Sequence, residues 1–567
     1  MGTVPPILKT PQAKQSRTGA MTVWDGFIYN FLAMGVIFPW LYLWGPAVFP
    51  GANISLAIVF AFLAQIPLSI AYSFAASAMP GNAGDYIYQK KAFGRWAPVV
   101  VLSGFVIWIL QWLALSGWLL ATLGLSPLFL SFAAGSNSKS LTLVAIMIES
   151  PGGVIIVSCA LSLAAVLVLR RGLHLFAQVQ RVLFALLIAS IGAIVFVFTK
   201  SHAEVAAHLT HFVDVVASHL TLQFPKGMRQ DFLEFLKRDV HTYGYLIQHE
   251  FSLLATLGVM PIAWTSLQWA TYSVEQNAEI EGSDRLKNQL LMLVGSATAV
   301  AFLLVLVGYL EAHALGTDFL RACSGAYWAR RASPEVYLFL RNVLQPFPNA
   351  LAIASSQGYG IAIVIALGFL ANAFQVTCNS FIGMAKIIVK MDEDGLFPSR
   401  WKLGKQEART DAPMRAYWAY FLLGLPVIVG YSLIPRWGEC TLGVTFASGY
   451  VFMMSALAIA KLSFHPSASN EFGGLAPIPT RVLRVSAVLG AAGAAAMTLS
   501  YLVVPKLGLT GVLPYCIVAF VFLACALWVF LRSSGQPRTS REGPKSEPAQ
   551  VLPTSQTSLA NDRGSAV

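Results

Sequence analysis

Twelve apolar runs, each about 20 residues long, follow one another along this chain of 567 residues. A helix of that length covers the ~30 Å hydrocarbon core of a bilayer. The runs fall at 25–49, 53–78, 97–122, 152–169, 176–199, 252–273, 289–313, 361–389, 415–434, 441–461, 483–505 and 511–532. Only 11% of residues are charged, against ~25% in an average soluble domain. The expected class is therefore an all-α polytopic membrane protein with about 12 transmembrane helices. Residues 1–24 form a polar N-terminal segment, 25–532 one twelve-helix domain, and 533–567 a tail too polar to pack, hence disordered.

The net charge of +12 invites a nucleic-acid reading, but its distribution points to topology. With the N-terminus placed in the cytoplasm, 26 of the 38 Lys and Arg residues fall on the inner side, as the positive-inside rule demands. An even number of spans puts both termini there, in a multi-pass protein of the cell membrane. The first run has the length of a span rather than of a cleavable signal core. Six cysteines include no CxxC pair; Cys323 and Cys440 fall on the outer side, where a disulfide between them can form.

The outer loop 200–250 carries six of the nine histidines. Metal capture or pH sensing is one reading of it. The other is an amphipathic helix lying along the membrane surface, since "HLTHFVDVVASHL" has helical apolar spacing. No carboxylate or cysteine completes a ligand set at standard spacing.

Two spans break the apolar pattern. The first contains Asn30, the small patch Ala33-Met34-Gly35, and Pro39. The sixth, inside Gly258 to Asn277, carries Pro261, Thr265, Ser266 and Gln268. Proline costs a helix interior about 3 kcal/mol and glycine about 1. An unpaired polar group in hydrocarbon costs roughly 2–7 kcal/mol. Such breaks persist where the backbone is buried in protein or lines a cavity. A proline kink with glycine at a packing contact is the simpler alternative. Spans one and six are five apart, the spacing of two inverted repeats of five helices with a discontinuous pair at mid-membrane.

"AMPGNAGDYIYQKKAFG" resembles the P-x-x-G-G-D-Y-x-Y loop of the amino acid–polyamine–organocation transporter superfamily, with Pro80, Gly84, Asp85, Tyr86 and Tyr88 matching. "ATYSVEQNAEIEGSDRLKNQ" looks like that family's Ala-x-Glu stretch before span seven, with Glu275 in the acidic place. "GMAKIIVKMDEDGLFPSRW" is similar to its span-eight ending, usually SRxLYAMARDGLLP, through Lys386, Met391, Asp394, Gly395, Leu396 and Pro398. Ala33 stands where the family has its first glycine, and the long loop 200–250 is not typical of it. The resemblance implies a LeuT-like five-plus-five inverted-repeat core with discontinuous helices 1 and 6. It also implies secondary active transport of amino acids by alternating access, as symporter or antiporter.

By the same resemblance, the substrate carboxylate would meet the amides of Ala33, Met34 and Gly35, and its ammonium the carbonyls around Ile262, Ala263 and Thr265, with Trp264 as an aromatic cap. No Asp, Glu, Lys or Arg stands clearly at mid-depth; Asp25, Glu275, Glu311 and Lys386 lie near span ends. A neutral or zwitterionic substrate is expected, because a cationic one would call for a buried acid. Leu187 aligns where some proton-coupled relatives carry a lysine. Thr377 and Ser380 offer hydroxyls for a sodium ion, or simply hydrogen-bond between helices. Sodium, a proton, or exchange without an ion all stay open, and no other cofactor is implied. The expected partners are a small-molecule amino acid and the lipid bilayer. A nutrient sensor on the same fold, or a carrier of another amine or organic solute, is the alternative. An enzyme is not expected: there is no HExxH, no GxSxG within a span and no GxxxxGK[ST].

Overall fold

The computed structural model describes residues 19–35, 41–220, 226–407, 410–434, 437, 441–464, 480–504, 507 and 513–534. The tail 535–567, Pro39 and Cys440 lie outside the described residues. Expectations for the tail and for the Cys323–Cys440 disulfide therefore fall outside them too. The described chain is helical; its β-structure is two isolated bridges, Met21 with Ile280 and Asn82 with Gln276.

Among the described residues eleven helices are long and apolar enough to cross a membrane: Ile54–Ala78, Gly84–Ser136, Pro151–Leu169, Leu173–Phe198, Leu253–Glu275, Leu286–Leu315, Tyr359–Glu393, Met414–Leu433, Phe446–Phe464, Arg481–Val503 and Tyr515–Arg532. They match expected spans two to twelve in order. Their outward faces hold exposed Leu254, Ile156, Phe302 and Phe520, which suits a chain solvated by lipid. The first expected span is two shorter helices, Val23–Ala33 and Leu41–Val48. Thr22 and Asp25 form a reciprocal capping box that starts the first of these. Gly35, at φ +63°, ends it in the left-handed region that favours glycine.

Three boundaries differ from expectation. The third span does not stop near residue 122 but winds on to Ser136 through two π-helical stretches, Leu102–Val106 and Leu120–Leu125. Pro127 enters the first turn of the segment after the second stretch, where a missing N–H does little harm. The sixth span is not opened at Pro261: its α-helix runs unbroken from Leu253 to Leu267. The described helices of residues 200–250 turn their apolar faces to the protein. Helices His202–His219 and Phe232–Thr242 bury Val205, Leu209, Phe212, Val213, Val216, Leu233 and Leu236 against the rest of the protein. Together with Thr317–Tyr327, Pro334–Asn342 and Pro348–Ala354 they cover one end of the bundle, called here the capped end.

The first half of span one is the innermost element. Asp25 to Leu32 are all buried, and the helix packs on spans five, six, seven and eight.

Candidate functional site

At the C-terminus of Val23–Ala33 the last helical carbonyls have no helical partner. Span eight supplies donors: Asn372 Nδ2 donates to the Leu32 carbonyl at 3.0 Å, and Asn379 Nδ2 to that of Tyr29 at 3.3 Å. Side-chain amides thus hold the helix end open in the centre of the bundle.

Span six changes its winding seven residues after Pro261. From Gln268 to Glu275 it is a 3-10 helix, in which residues three apart lie directly above one another. Trp269, Tyr272 and Glu275 therefore form one column. The polar residues upstream serve the helix itself. Thr265 Oγ1 donates to the Ile262 carbonyl at 2.8 Å and Gln268 Nε2 to that of Thr265 at 3.3 Å. The Pro261 carbonyl accepts from the Tyr501 hydroxyl at 3.2 Å. The helix thus continues through Pro261, with these side chains adding bonds to carbonyls at and beyond the proline.

Between the broken span one and the 3-10 stretch lies a small cavity of about 20 Å³. Its lining is Ala33, Ile109, Trp112, Trp269, Tyr272, Val376, Asn379 and Ser380, drawn from spans one, three, six and eight. No lining residue is charged. The Trp269 ring sits among Phe105, Trp112, Tyr272 and Phe452, with centroids 5.3–6.3 Å away. The Trp112 indole N–H is buried without a partner, an unused donor on a lining residue. A space of this size has room for about one water molecule, so a solute enters only when the lining side chains move apart.

Of the residues expected at the site, the cavity brings together Ala33 and Ser380. Met34 and Gly35 are buried directly after Ala33 but outside the lining. Ile262, Ala263 and Trp264 are buried elsewhere, and Thr265 is also outside the lining. Trp264 donates through Nε1 to Gln65 Oε1 of span two at 2.8 Å, so the aromatic at the cavity is Trp269 instead. Thr377 is fully buried off the cavity, its hydroxyl on the Ala373 carbonyl at 2.9 Å. The Ser380 hydroxyl donates likewise to Val376. Sequence reasoning missed Ile109, Trp112, Trp269, Tyr272, Val376 and Asn379. One signal was available for the sixth span: counting back in threes from Glu275 lands on Tyr272 and Trp269.

Away from the capped end the cavity is closed by successive polar layers. Tyr29 and Tyr272 stack at 5.8 Å. Next, Asn30 and Ser273 bond reciprocally, Nδ2 to Oγ at 2.9 Å and backbone N to Oδ1 at 2.7 Å. Then come Asp85 and Glu275, both fully buried. Outermost are three ion pairs. Lys386 Nζ meets Glu279 Oε1 at 2.5 Å, which also accepts from Asn82 Nδ2. Arg181 grips both Asp25 oxygens at 2.7 Å. Lys90 and the Tyr86 hydroxyl share Asp394.

The histidines of the cap engage neighbours. His202 Nδ1 lies 2.8 Å from the Ala314 carbonyl, and His219 bridges Thr142 and Asn137 at 2.9 Å each. Among the described residues no cluster of three or more His, Cys, Asp or Glu side chains could hold a metal ion.

A scan against protein-family models finds no match for this chain, and a search of curated proteins finds none either.

Proposed function

We propose that this protein is a secondary transporter of small neutral or zwitterionic amino acids. It would be built on a five-plus-five repeat of the amino acid–polyamine–organocation type and work by alternating access. The observation that carries the reading is the charge-free cavity at the break in span one, roofed by Trp269 and Tyr272. A helix that ends at Ala33, before Gly35 at φ +63°, leaves backbone groups for the charged ends of an amino acid. Apolar and aromatic walls take a neutral side chain.

The orientation follows the Lys and Arg asymmetry: the capped end faces outside and the polar layers face the cytoplasm. The ion pairs tie span one to span five through Asp25–Arg181, and the segment after span six to span eight through Glu279–Lys386. Opening toward the cytoplasm breaks these pairs, so they act as an inner gate.

The test is uptake of a labelled amino acid panel by purified protein in liposomes, with Trp269→Ala alongside. Saturable uptake of small neutral amino acids, lost in Trp269→Ala, is the expected result. No uptake or exchange of any of them refutes the reading.

A further inference from the structure

The loop before helix Gly84–Phe93 is pressed against the end of the 3-10 stretch. Ala83 N donates to the Glu275 carbonyl at 2.9 Å, and Asp85 N to Glu275 Oε1 at 3.3 Å. A Cβ on Gly84 would stand 2.8–3.0 Å from Val274 atoms, including its carbonyl oxygen, so only glycine lets the two segments approach this closely. The result seats the Glu275 carboxylate on the Asp85 amide and so buries two neighbouring carboxyl groups, both 0% exposed.

Their surroundings are specific. The Tyr72 hydroxyl of span two donates to Asp85 Oδ1 at 2.5 Å. Asp85 Oδ2 and Glu275 Oε2 have no donor. Tyr88 faces both acids from helix Gly84–Phe93, and Tyr272 does so from the 3-10 stretch. Tyr29 of span one faces Glu275. The Tyr88 hydroxyl is buried and unpartnered, as are both ends of the neighbouring Gln276 amide. Among the described residues no Lys, Arg or His acts on either carboxyl; the next cation outward, Lys386, is taken by Glu279. Two buried acids in contact without a cation cannot both be ionised. Only a proton on one of them turns the contact between two acceptors into a bond.

We infer that Asp85 and Glu275 hold one shared proton and that this proton is the co-transported ion. The inference rests on the transport reading of the adjacent cavity. With the cavity open to the outside, the proton arrives along the Trp269–Tyr272–Glu275 column. It then closes the Asp85–Glu275 contact as an O–H···O bond. When the inner gate opens, water reaches the pair. The O–H bond breaks, the proton passes to water on the cytoplasmic side, and two hydrated carboxylates remain until the next outward-open state reprotonates one. One proton enters per cycle, with no other co-reactant.

The experiment uses the full chain in liposomes with an entrapped pH-sensitive dye, loaded with the neutral amino acid found to be taken up. In the wild type an inward proton gradient should stimulate uptake at least tenfold, and uptake should acidify the lumen. Uptake by Glu275→Gln and by Asp85→Asn should no longer respond to the gradient. Wild-type uptake that ignores the gradient and leaves the lumen pH unchanged overturns the inference, whether or not the variants fold. So does an unaltered gradient response in both variants. Absence of any wild-type uptake or exchange would instead sink the transport reading itself.

Discussion

Tyr29 of span one and Tyr272 of span six donate to the same atom, the backbone carbonyl oxygen of Asn379 in span eight, at 3.2 and 3.3 Å. A carbonyl has two lone pairs and can satisfy both donors. Three of the four spans around the cavity thereby meet at one acceptor directly beneath it. Tyr272→Phe removes one donor while keeping the ring. It should weaken the closed inner gate and raise cytoplasmic-side labelling of a cysteine placed at Ser273, read as a faster rate than in the parent. An unchanged rate would mean that the tyrosine pair does not hold the gate.

The two tryptophans of span six should separate by readout. Trp264 is fully buried and bonded to Gln65, so Trp264→Ala should cost stability by roughly 3–5 kcal/mol. Trp269→Ala faces the cavity and should lower substrate affinity at least tenfold with a smaller loss of thermostability. Thermal unfolding in detergent and a binding isotherm on each variant check this.

Gly35 and Pro261 should also diverge. Gly35→Ala places a Cβ on a residue at φ +63°, a strain of roughly 1–2 kcal/mol, and favours continuing the helix across the break. Both binding and thermostability should fall. Pro261→Ala sits in a helix already continuous there and should leave affinity within about twofold of the parent. An affinity loss in Pro261→Ala comparable to that in Gly35→Ala would put the opening back at the proline.

Orientation is tested by labelling intact cells with an impermeant thiol reagent in a Cys516→Ser background. His241→Cys, exposed on the cap, should react. Arg171→Cys, exposed at the opposite end, should react only after permeabilisation. Cys323 is buried in a cap helix, and burial pushes its thiol above the ordinary range, so it should stay silent in both. The reverse pattern would invert the topology.

What could be read in advance divides along physical lines. The spans follow from apolar length alone, and the break in span one follows from Ala33-Met34-Gly35, whose effect is local to the backbone. Pro261 does not open its helix; a proline inside a buried span is compatible with a continuous helix as well as with a break, and the residue alone does not distinguish the two. The shift from Trp264 to Trp269 depends on a change from α to 3-10 winding that side-chain identity does not encode. The buried acids were overlooked for a related reason. Position near a span end does not set exposure: Glu275 is sealed by the Gly84 loop, and Glu311 near the end of span seven is 1% exposed beneath the cap. The histidine-rich helix His202–His219 keeps its amphipathic pattern, but it packs on helices Ser126–Ser136, Ser296–Leu315 and Pro348–Ala354, partners distant in sequence.

The most direct test of a charge-free cavity roofed by Trp269 is a competition binding measurement on the purified protein. A labelled small neutral amino acid would be displaced by a panel of unlabelled compounds, in the wild type and in Trp269→Ala. Small neutral amino acids should compete at least tenfold better than arginine, lysine or putrescine, and Trp269→Ala should abolish specific binding. Putrescine or arginine as the best competitor, or full affinity retained by Trp269→Ala, would contradict it.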